Sequence, residues 1–62
     1  MTMNDWLCNI ENSAAVVASA LGQETVNFIL QNYHAHSIED LDPSDYPEVF
    51  SELYAYEADL NN

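Results

Sequence analysis

The sequence predicts an all-α protein, a small three-helix bundle with a short extra turn before its last helix. Two observations carry this. Apolar residues recur at spacings of three and four in separate stretches. Between those stretches stand residues that stop or start helices: Gly22, the Ser37–Asp40 pair, and Asp42-Pro43. At 62 residues the chain makes one domain, residues 1–62. A chain this short buries roughly 60% of the surface its unfolded form exposes, so its core is small.

The first helix is expected over residues 5–21, with Asn4 as its cap and Asp5 favourable in its first turn. Leu7, Ile10, Ala14, Val17 and Leu21, with Trp6 beside them, fall within roughly a 100° arc. The seam reads as a core face, with a homodimer seam as the alternative. Its middle, SAAVVASA, is small in side chain and permits close helix approach. Gly22 closes the helix.

The second helix is expected over residues 23–33. Val26, Ile29, Leu30 and Tyr33 share one face, and Phe28 points away from it, expected to pack on another element or, as the alternative, to stand exposed for a partner. His34-Ala35-His36 reads as a loop. Ser37 with Asp40 resembles a capping box, and Ile38 and Leu41 then form a short turn that plugs the core. Asp42 caps again, with Pro43 at the first position of a turn or 3₁₀ segment over 43–45. Pro47 is harmless only in the first turn of a helix, so the last helix is expected over 46–59.

Charge is the most restrictive property. The chain has eleven Asp and Glu, no Lys or Arg, and a net charge of −11. Intrachain salt bridges are nearly absent, and the surface repels phosphates, which excludes direct nucleic-acid binding and anionic membranes. Eight of the acids lie in residues 39–60. On the last helix, Tyr46, Val49, Phe50, Leu53, Tyr56 and Leu60 form a core side, while Asp45, Glu48, Glu52 and Asp59 fall in an arc of roughly 60° elsewhere, a stripe about 21 Å long. This stripe, with Asp40 and Asp42 in the preceding turn, is the candidate partner-binding surface. Glu57 instead projects among the apolar residues; exposure near the helix end, or a contact with His34 or His36, would accommodate it.

Other chemistry finds little footing. The longest apolar run, residues 14–18, is too short to span a bilayer, and no basic, then apolar, signal peptide opens the chain. The lone Cys8 has no basic neighbour to activate it and no partner for an intramolecular disulfide, which points to the cytoplasm. No catalytic residue, cofactor site or metal site is expected. The Asp40-x-Asp42-x-Ser44 run begins like a calcium loop but has Asp45 where glycine is required and Ser51 where the bidentate Glu belongs. Composition therefore points to a non-enzymatic acidic module that engages a basic protein surface, with a nucleic-acid mimic as its most specific form. The alternative is a dimerisation or subunit protein whose acids only maintain solubility.

The segments ALGQETVNFILQNY, SIEDL and EVFSELYAYEADL resemble small acidic proteins encoded on conjugative elements of gut Firmicutes. That resemblance implies a bacterial mobile-element setting, in which inhibitors of host defence and accessory conjugation proteins both occur. It assigns no role to any residue.

Overall fold

The computed structural model describes residues 2–60. Three helices follow in order, α1 (Met3–Leu21), α2 (Gln23–Gln31) and α3 (Tyr46–Leu60), with two 3₁₀ turns, Ile38–Asp40 and Pro43–Asp45, between the last two. The fold is an all-α three-helix bundle. Helix α1 packs against both other helices, and most extensively against α3.

The core follows the expected faces. Ile10, Ala14 and Val17 of α1 meet Val26, Ile29 and Leu30 of α2 and Tyr46, Val49 and Leu53 of α3. Leu41, after the first 3₁₀ turn, is buried as a plug, and Ile38 packs on its edge. Trp6 lies edge-on to Phe50, with ring centroids 6.0 Å apart, and ties the start of α1 to α3. Leu21 and Leu60, expected on core faces, are exposed because each ends its helix beyond the last packed turn.

Several local details differ from expectation. Thr2, not Asn4, caps α1. Its hydroxyl accepts the Asp5 amide while the Asp5 carboxylate accepts the Thr2 amide, each at 3.2 Å. A reciprocal pair satisfies two helix-end donors, where Asn4 offers one. Helix α2 stops at Gln31 in a Schellman arrangement: the His34 amide bonds the Gln31 carbonyl at 3.0 Å, and the Ala35 amide bonds the Leu30 carbonyl at 3.1 Å. His34 takes the left-handed position of that motif, with φ of 60°. Ser37 makes no side-chain cap, and Asp40 instead accepts the His36 amide at 3.1 Å. Phe28 does not pack on another element; it is 59% exposed. Three helices over so small a core leave the outer side of the nine-residue α2 uncovered.

Gly22 joins α1 to α2 without a loop. Its φ of 97° and ψ of 153° are a conformation essentially restricted to glycine. Its amide bonds Ala18 and its carbonyl accepts from Thr25, so one residue ends one helix and begins the next.

Candidate functional site

Glu48, Glu52 and Asp59 lie on α3, and Asp45 closes the 3₁₀ turn that leads into it. Asp45 and Glu52 are half-buried, while Glu48 and Asp59 are exposed. Pro47 sits as the second residue of α3, so the preceding 3₁₀ turn can lead into the helix without a lost hydrogen bond. Asp42 caps that turn, accepting the Ser44 amide at 3.0 Å and the Ser44 hydroxyl at 2.9 Å. These two donors hold its carboxyl below the ordinary range. Asp42 and Asp40 thus have local structural work, and both remain exposed.

The stripe has an anchor that the sequence reading assigned only to the core. The Tyr33 hydroxyl donates to Glu52 at 2.9 Å and links α2 to α3. Burial pushes the Tyr33 phenol up to about 12, with the Glu52 hydrogen bond and the fields of Glu52, Glu48 and Asp45 adding to it. The fields of three of the four stripe acids therefore act on one neutral donor. The signal was present in the sequence: a tyrosine on a core face has a hydroxyl that needs a partner when the ring is covered.

Glu57 is half-buried near the end of α3. Its carboxylate accepts the hydroxyl of Ser13, 3% exposed on α1, at 2.8 Å. The polar group in the apolar sector of α3 is thus met by a serine set in the otherwise apolar seam of α1. Cys8 is a free, exposed thiol. Among the described residues no group of three or more His, Cys, Asp or Glu is placed to hold a metal ion.

Two surface depressions accompany the stripe without including it. One, of about 210 Å³, lies between α1 and α3 beside Val16, Phe50, Tyr54 and Glu57. The other, of about 340 Å³, lies between α1, α2 and the first 3₁₀ turn, with Glu11 and Glu39 in its lining. Glu39 belongs to the acidic turn before α3, whereas Glu11, on α1, stands apart from the run of charge on α3 and its lead-in turn.

Among the described residues no helix is long and apolar enough to cross a membrane. No protein-family model matches the chain, and no curated protein or solved structure does so either.

Proposed function

We propose that this protein is a non-enzymatic acidic module that engages a basic protein surface through α3 and the turn before it. The observation that supports this is the run of Asp45, Glu48, Glu52 and Asp59, which share one arc at helical spacing from the end of the 3₁₀ turn along α3, in a chain with no Lys or Arg. An ordinary solvated helix face mixes signs. Here every charge on the stripe attracts the same kind of partner, and nothing in the side-chain complement except histidine opposes it.

The seam of α1 favours this reading over dimerisation. Ile10, Ala14 and Val17 are already covered by the protein's own α2 and α3. A dimer would have to use the exposed Phe28 or the small Val16–Tyr54 patch instead, and would bring two chains of charge −11 together.

The most specific form of the proposal is a nucleic-acid mimic that inhibits a host-defence or DNA-processing protein. Carboxylates on a rigid helix take the place of phosphates in a basic groove. The rises between the stripe acids, about 4.5, 6 and 10.5 Å, match the phosphate interval of about 3.4 Å along one DNA strand only in part. The likeness to mobile-element proteins of bacteria supports such a role and a cytoplasmic setting.

The test is capture from a bacterial lysate with elution by a salt gradient, run beside a variant carrying Asp45→Asn, Glu48→Gln, Glu52→Gln and Asp59→Asn. A partner held by the native protein, released by salt and lost by the variant supports the proposal. Partners held equally by both proteins and insensitive to salt would reject it.

A further inference from the structure

The groove of about 340 Å³ between α1, α2 and the first 3₁₀ turn is of mixed lining: an apolar part that includes Ala14, Ala18, Val26, Leu30 and Ile38, and a polar part of Gln23, Asn27, His36 and Ser37. Ala14, Val26 and Leu30 belong to the buried core, and Ala18 and Ile38 are half-buried. The space exists because α1 presents alanines here, where longer side chains would fill it. Glu11 from α1 and Glu39 from the 3₁₀ turn line the same groove, and both are exposed.

An apolar floor edged by carboxylates from two elements suits one kind of side chain, a long aliphatic stem that ends in a cation. Lysine and arginine lay their stems on apolar surface and keep the charged head at its wet edge. We infer that this groove is a docking site for an arginine- or lysine-bearing segment of a protein partner. The stem rests on the alanine floor and the head lies at Glu11 and Glu39. The volume is at the lower end of ligand pockets, which run from about 300 to 1,000 Å³, and suits a side chain rather than a large cofactor. A second copy of the chain is the wrong occupant, since it has no Lys or Arg to offer and adds another charge of −11. The inference rests on the reading of the protein as a binder of basic proteins, but it names a contact separate from the α3 stripe.

Amide chemical-shift mapping by NMR tests it. The probe is a short capped peptide with a single arginine among alanine and leucine, titrated beside its citrulline counterpart, which keeps the stem and loses the charge. The expected shifts centre on Ala14, Ala18 and Ile38. Affinity should fall about three-fold with Glu11→Gln or Glu39→Gln alone and about ten-fold with both, as suits exposed charge pairs. The citrulline peptide should lose a similar factor. Equal binding of both peptides overturns the inference. Shifts centred on Glu48 and Asp59 with unmoved groove amides also overturn it, while leaving the α3 stripe as the basic-partner surface. Shifts at the same alanines that grow with protein concentration and need no peptide give the groove to a second copy, and overturn it too. The absence of any shift overturns it and counts against the stripe as well.

Discussion

The Tyr33–Glu52 hydrogen bond makes the stability of the bundle sensitive to alkali. The donor is a neutral phenol whose folded value, about 12, lies above its ordinary value of 10.0. A raised acid holds its proton more tightly in the folded state. Its contribution is therefore complete below about pH 10 and is lost as pH rises through about 12. A Tyr33→Phe variant should be less stable at neutral pH and should lose less stability across that window. Denaturant melts of both proteins at several pH values check this; parallel curves would sink it. The Ser13–Glu57 contact gives a second test. Ser13→Ala removes a donor to a part-buried carboxylate and should cost about 1–3 kcal/mol in urea unfolding. Glu57→Gln keeps an acceptor, relieves repulsion and should be nearly neutral. Near-equal effects of the two substitutions would contradict this account. The anomaly of Glu57 was legible in the sequence, because a helical wheel fixes which sector a residue enters. Its partner was not, because a wheel for one helix says nothing about which residue of the neighbour stands opposite. A serine within a run of alanines carried no sign that its hydroxyl faced inward.

At the scale of elements, the legible features were those fixed by local backbone chemistry. Gly22, Asp42-Pro43 and Pro47 each restrict the chain on their own, and the helix boundaries near them fell close to expectation. Ends shared between competing residues were harder to read. Thr2 and Asn4 are both good caps, and the choice turned on the carboxylate of Asp5 reaching back to Thr2. The left-handed turn at His34 gave no signal, since the usual residue there is glycine or asparagine. The two positive-φ positions, Gly22 and His34, predict opposite outcomes for two substitutions. Gly22→Ala places a Cβ in a backbone region that only glycine occupies with ease, and should cost about 1–3 kcal/mol. His34→Gly relieves a left-handed conformation that costs an L-residue about 1–2 kcal/mol. The greater freedom of glycine in the unfolded chain takes back about 0.4–1 kcal/mol. The net should be a gain of between about zero and about 1.6 kcal/mol. Thermal melts of the two variants compare these directly. A loss of stability in His34→Gly would mean that the imidazole contributes more than the turn geometry costs.

For the whole molecule, self-repulsion is the property most open to measurement. Two carboxylates about 6 Å apart in water repel by about 0.7 kcal/mol. A domain of this length has about 3–9 kcal/mol of total stability at the usual value per residue. One such pair is therefore from about a twelfth to about a quarter of the margin, and eleven acids share a body measuring 29 × 23 × 15 Å. At about 0.01 M salt the screening length is about 30 Å, so every carboxylate acts on every other across the molecule. At about 1 M it is about 3 Å, shorter than the spacing of neighbouring stripe acids. Favourable pairs with Lys or Arg, which salt would weaken in an ordinary protein, are absent. The melting temperature should therefore rise steadily with sodium chloride over this range. The slope should shrink when Glu48→Gln and Asp59→Asn remove two exposed charges from the stripe. A melting temperature that stayed flat or fell with salt would show that the acids lie too far apart, or too well hydrated, to oppose folding. The same repulsion bears on binding. A basic partner on α3 neutralises charges that the free protein holds at a cost, so part of its affinity comes from relief of strain already present in the unbound bundle. Raising salt removes that relief and the direct attraction together. Affinity for a basic partner should therefore fall over the same range in which the free protein grows more stable, an opposition that a protein using its acids only for solubility would not show.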